Sequence, residues 1–130
     1  MAWDFENNRP IYIQLMEIIK KRVISGAIKP GEKLPSVREL AFKAGVNPNT
    51  IQRAMAELER EGLIFSVRTA GRYVTENEEE IAFERKNMAK TMIAEFLSSI
   101  ESLGYRDDQI IDLIKEDMKG EKYDGNNGAI

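Results

Sequence analysis

The run from Ser36 to Gly62, SVRELAFKAGVNPNTIQRAMAELEREG, constrains the fold of this 130-residue chain more than any other stretch. Ser36 with Glu39 three positions on has the pattern of a capping box, so a helix starts at Ser36. Gly45 suits the left-handed position that follows a helix end. Asn47 then caps a second helix, with Pro48 in its first turn, where no amide donor is missed. Two helices joined by so short a turn have the spacing of a helix-turn-helix.

The second helix divides into two faces. Ile51, Ala54, Met55 and Leu58 recur at helical spacing and pack inward. Asn49, Arg53 and Arg60 fall on the opposite side, with Gln52 on its flank. Asn and Gln side chains pair with adenine edges, and Arg with guanine or phosphate, so this side suits the DNA major groove. An ordinary solvated helix also carries polar groups outside, but the segment after this helix weighs against that plainer reading. Gly62 ends the helix, Leu63 to Val67 reads as a strand, Arg68-Thr69-Ala70-Gly71 as a hairpin tip, and Arg72 to Thr75 as the return strand. A hairpin directly after a recognition helix is a wing, and its basic tip suits phosphates or a minor groove. Leu63, Phe65, Tyr73 and Val74 supply the apolar groups that seat it on the helices.

Upstream, Pro10 starts a helix whose apolar stripe is Ile11, Leu15, Ile18, Ile19 and Val23, with Gly26 as its stop. Lys29-Pro30-Gly31-Glu32 is a turn, and Leu34-Pro35 leads into the capping box. Trp3 and Phe5 read as packing aromatics, with stacking on a base as the other possibility.

The string from Pro10 to Val74 resembles the DNA-binding domain of the GntR family of bacterial transcription regulators. The resemblance rests on Pro10-Ile11-Tyr12 with Gln14, on GAIKPGEKLPS from Gly26 to Ser36, on Arg38-Glu39-Leu40-Ala41 and on Glu61-Gly62-Leu63-Ile64. Val46-Asn47-Pro48-Asn49-Thr50 is similar to the YtrA-type subfamily. Many family members carry Arg where this chain has Gln52 and a second Gly where it has Thr69. The resemblance implies that an Arg at position 38 contacts DNA. The expected reading head is Arg38, Asn47, Asn49, Thr50, Gln52 and Arg53. Ser36, Arg68, Thr69, Gly71 and Arg72 are expected to add backbone or minor-groove contacts.

The net charge of −3 hides a division. Residues 1–75 carry 12 Lys and Arg against 8 Asp and Glu, a net +4, and residues 76–130 carry 7 against 14, a net −7. The basic part holds the helix-turn-helix, and a local field is what attracts phosphates. The acidic part is expected to face away from DNA. It opens on Glu76-Asn77-Glu78-Glu79-Glu80, which reads as a solvated helix start. Ile81, Met88, Met92, Phe96, Ile100 and Leu103 recur at helical spacing up to Gly104. Asp107 and Asp108 start a last helix with Ile110, Ile111, Leu113, Ile114 and Met118 apolar, and a polar, Gly-rich tail, expected to be disordered, runs on from Gly120. Two such helices cannot bury their stripes alone. Pairing with a second copy is the favoured outcome, and a ligand pocket is the alternative. The resemblance implies the same: short YtrA-type regulators use a two-helix C-terminal region to dimerise.

The chain has no His and no Cys, which removes the common general base, the thiol nucleophile and most transition-metal ligands. No enzyme, cofactor or metal is expected. No apolar run spans a bilayer, no signal peptide is visible, and a cytoplasmic location is expected. The sequence therefore predicts a mainly α fold with a small β-hairpin. A winged helix-turn-helix domain takes residues 1–75, a helical dimerisation region 76–119, and a tail 120–130. The expected partners are double-stranded DNA and a second copy of the chain, with a small-molecule effector left open. The competing reading is a winged-helix protein-interaction module that does not bind DNA.

Overall fold

Among the described residues, five helices and one hairpin run in the order expected: α1 Ile11–Ile24, α2 Val37–Ala44, α3 Pro48–Arg60, β1 Ile64–Val67, β2 Gly71–Val74, α4 Glu78–Glu101 and α5 Asp107–Gly120. The structure, a computed structural model, describes residues 3–120. The expected tail at 121–130 lies outside the described residues, and Gly120 is the last residue of α5.

The local signals between α2 and α3 act as expected. Ser36 Oγ accepts from Glu39 N at 3.1 Å, and Ser36 N donates to Glu39 Oε1 at 2.9 Å, which completes the capping box. Gly45 takes φ 72°, and its N–H donates to Ala41 O. Asn47 Oδ1 accepts from Asn49 N at 2.7 Å, and Pro48 is the first residue of α3.

The core forms where α1, α2 and the hairpin pack on α3. Leu15, Ile19, Val23 and Ile24 enter from α1, and Leu40, Ala41 and Ala44 from α2. Ile51, Ala54, Met55 and Leu58 enter from α3, and Leu63, Ile64 and Val74 from the hairpin. Each large aliphatic among them contributes roughly 1.5–3 kcal/mol by leaving water. Ile11 departs from the expected stripe and stays 41% exposed, so the buried row of α1 begins one turn later at Leu15. The neighbouring buried place belongs to a polar residue. Gln14 is 5% exposed, accepts from Glu6 N at 2.7 Å, and donates to Glu6 O at 3.0 Å and Arg9 O at 2.9 Å. One amide thus satisfies three backbone groups and ties the N-terminal segment to α1.

The hairpin pairs Ile64 with Val74, Phe65 with Tyr73, Ser66 with Arg72 and Val67 with Gly71. Alternation puts Ile64 and Val74 inside, but it turns Phe65 and Tyr73 to the outer side. There they stack on each other, with ring centroids 6.0 Å apart, instead of seating the wing on the helices as expected. The free edge of β2 is covered by the segment that reads from sequence as a mere turn and lead-in. Gly31 N donates to Val74 O, Val74 N to Glu32 O, and Leu34 N to Arg72 O, at 2.8–2.9 Å. That cover blunts an exposed strand edge.

The first compact unit ends at Lys86 and so includes the opening turns of α4. Ile81 is buried, Arg85 Nε donates to Ile24 O at 2.9 Å at the end of α1, and Lys20 pairs with Glu61 and Glu84. The second unit starts at Asn87 and is made of the rest of α4 and α5. Within it Ile110 is buried, whereas Met92, Ile93, Phe96, Leu103, Ile111 and Met118 remain exposed on the single chain.

Gln14→Ala removes the partner of three backbone groups and is expected to destabilise the protein by about 1–3 kcal/mol. Urea unfolding followed by the fluorescence of the single tryptophan, Trp3, measures the change. A midpoint equal to that of the unaltered protein would contradict the anchoring role.

Candidate nucleic-acid interface

Burial of the inner face of α3 turns Asn49, Gln52 and Arg53 outward. Asn47 is exposed, with its side-chain oxygen held by the cap, and Thr50 is half-buried. Ser36 and Arg38 sit at the N-terminus of α2. Arg38 is exposed and makes no ion pair among the described residues. An open groove of about 560 Å³ runs between this helix start and the wing, lined by Lys33, Ser36, Val37, Gly71 and Arg72 among others. Lys33 and a helix N-terminus at one groove suit an anionic backbone, while Glu39 on the same lining is engaged in the cap and Arg72 is paired with Glu59.

The wing turn is closed by Ala70 N donating to Val67 O at 2.9 Å. Thr69 has φ 65° at the third position of that turn, where a type II turn requires a positive φ. It is the one non-glycine residue with positive φ among the described residues. Thr69 therefore holds the tip in the conformation for which the resemblance supplies glycine, at a cost of about 1–2 kcal/mol. Arg68 beside it is exposed. Gly71 comes next but one with φ 112°, and a Cβ there would come within 3.0 Å of Lys33 Cε.

Beside the cap residues Ser36 and Asn47, three more of the expected contact residues are already engaged inside the protein. The Arg53 guanidinium lies 3.8 Å from the centre of the Tyr12 ring, a cation–π contact between α3 and α1. Arg72 leans from β2 onto α3, where its Nε donates to Glu59 Oε1 and its Nη2 to Gln52 Oε1, both at 3.1 Å. Ser66, the cross-strand partner of Arg72, donates its hydroxyl to Glu59 Oε2 at 2.7 Å. The structure thus brings Gln52 and Arg72 together, and it places Arg72 on the recognition helix, away from the free tip.

Tyr12, Glu59 and Ser66 touch expected contact residues and were missed by sequence reasoning. A signal for Glu59 was present, since it lies two helical turns after Gln52 on the same side of α3. The Ser66 hydroxyl and, after it, Arg72 hold the Glu59 carboxyl below its ordinary range, against the opposing effect of burial. Glu39 is likewise lowered, by the Ser36 N–H and then the Ser36 hydroxyl.

A model of the bacterial regulatory proteins of the gntR family matches residues 11–74. The HTH-type transcriptional repressor YtrA of Bacillus subtilis (strain 168) is 39% identical over 123 residues, which is 92% of this chain and 95% of YtrA. The chain belongs to the GntR family. It is a family transcriptional regulator with a winged DNA-binding domain, and no helix among the described residues is long and apolar enough to cross a membrane. A solved GntR family transcriptional regulator from Listeria monocytogenes is similar at a TM-score of 0.80 and 41% identity, covering 86% of this chain and 98% of that one. The solved AraR DNA-binding domain in complex with operator ORX1 is similar at a TM-score of 0.53 and 30% identity, covering 58% of this chain and 95% of that one.

The lowered Glu59 carboxyl gives the wing contact a pH dependence. A carboxyl with a folded value below its unfolded one adds stability above the unfolded value, near 4.5, and loses it as pH falls through the folded value. Glu59→Gln is therefore expected to remove part of the acid-side loss of stability. Thermal melts between about pH 6 and pH 3 measure it. Identical acid-side slopes for the two proteins would contradict the contact.

Proposed function

We propose that this GntR-family regulator is a repressor that binds a two-fold operator as a homodimer. The observation that carries the DNA half is convergence. The outer face of α3, the start of α2 and the wing lie together, with Arg38 and Arg68 unpaired among the described residues. The likeness to AraR with its operator supports the same reading. Ser36, Arg38, Asn47, Asn49, Thr50, Gln52, Arg53 and wing residues Arg68, Thr69, Gly71 and Arg72 form the contact surface. A protein that acts on a prokaryotic operator works in the cytoplasm.

The dimer half rests on the second unit. Met92, Ile93 and Phe96 on α4 and Ile111 and Met118 on α5 are exposed on a single chain. A patch of this kind marks an association surface. A second copy covers it with the same residues, the self-complementary arrangement of a two-fold dimer. The reading keeps residues 76–119 as the dimerisation region, and any small-molecule effector acts through its geometry.

Two measurements test these halves separately. Gel shifts with genomic fragments are expected to show sequence-selective binding that weakens as salt rises, and Arg38→Ala is expected to lose the selectivity. Binding no stronger than to arbitrary DNA would favour a protein-interaction module instead. For the dimer, Phe96→Glu places a charge in the seam. Sedimentation equilibrium is expected to show a dimer for the unaltered protein and a folded monomer for the variant. A variant that remains dimeric would move the seam elsewhere.

A further inference from the structure

A guanidinium has donors and no acceptor, so the Gln52 atom that faces Arg72 is its carbonyl oxygen. Pairing of a glutamine with adenine needs both ends of the amide, the oxygen for N6–H and the nitrogen for N7. In this protein the Arg72 guanidinium already occupies one acceptor position of that oxygen, so a second donor has to share it. What Gln52 still offers outward is its NH₂ group. Arg72, held at Nε by Glu59, keeps its remaining N–H donors free of hydrogen bonds among the described residues. Glu59 is in turn fixed by the Ser66 hydroxyl, so helix and wing lock the arrangement together.

We propose that Gln52 and Arg72 read DNA as one donor-only unit, which selects a guanine through its N7 and O6 acceptors, and that Glu59 is the positioning residue that sets this choice. The inference rests on the operator-binding reading. It reverses the adenine preference that the amide of Gln52 suggests in isolation. Guanine is the base that shows two adjacent acceptors in the major groove, whereas adenine shows a donor beside its acceptor. Glu59 acts at a distance from the base. It holds Arg72 on α3 and neutralises it, which keeps the guanidinium on Gln52 and away from the phosphates.

Selection of bound duplexes from a random pool tests this with the full-length protein and three variants. Gln52→Ala identifies the contacted base pair as the position that loses its preference. In the unaltered protein that position is expected to be G·C. Arg72→Ala frees the Gln52 oxygen and is expected to move the same position towards A·T. Glu59→Gln releases Arg72 and is expected to relax that position by roughly tenfold. It also steepens the salt dependence by about one phosphate contact per subunit. A purely structural role for Glu59 would weaken all sequences equally and leave the salt slope unchanged. An A·T pair at the Gln52 position, or a G·C preference that survives Arg72→Ala and Glu59→Gln unaltered, overturns the proposal and leaves operator binding standing. An unaltered protein that selects no sequence overturns both.

Discussion

Four side chains of α3, Ile51, Ala54, Met55 and Leu58, lie inside the molecule, and their burial decides which residues α3 shows to solvent. Rotating the helix by one residue would expose part of this row and bury Gln52 or Arg53, at a cost of several kcal/mol. The outward set is therefore fixed by the inward one. The wing inherits the same constraint, because Leu63 and Ile64 continue the core from the end of α3 and Val74 closes it from the return strand. Asn49, Gln52, the wing and the start of α2 share one side as a consequence of packing.

Charge then refines what packing places. The basic first part of the chain keeps carboxylates beside its proposed contact residues, each tied to a structural task. Glu39 completes the cap of α2, and Glu59 receives Ser66 and Arg72. Arg53 is held over Tyr12, which limits the conformations it must lose on meeting a partner. A surface assembled in this way is ordered before it binds.

The parts of this arrangement that depend on near neighbours in the chain were legible in the sequence. Ser36 with Glu39, Gly45, and Asn47 with Pro48 are caps whose bonds reach four positions or fewer, and the helix-turn-helix is built from them. The inner row of α3 was legible because four apolar residues repeat at helical spacing. Contacts across the fold were not. Phe65 and Tyr73 read as wing anchors because aromatic character does not reveal which strand face turns inward. Residues 31–34 read as a turn because pairing with β2 depends on a strand 40 residues later. The bond from Arg72 to Gln52 spans 20 positions, so each reads on its own as a free contact residue. Gln14 is legible as a motif residue, but its three backbone partners lie in a segment without regular structure.

The central claim is that α2, α3 and the wing form one preassembled surface for DNA. The most direct measurement is a titration of isotope-labelled protein with its selected duplex, monitored by backbone amide NMR. The account predicts saturable shifts concentrated at Ser36 and Arg38, at Asn49 to Arg53, and at Arg68 to Arg72, with the core amides of α1 little changed. Saturable binding that leaves the amides of α3 and the wing unmoved would contradict it.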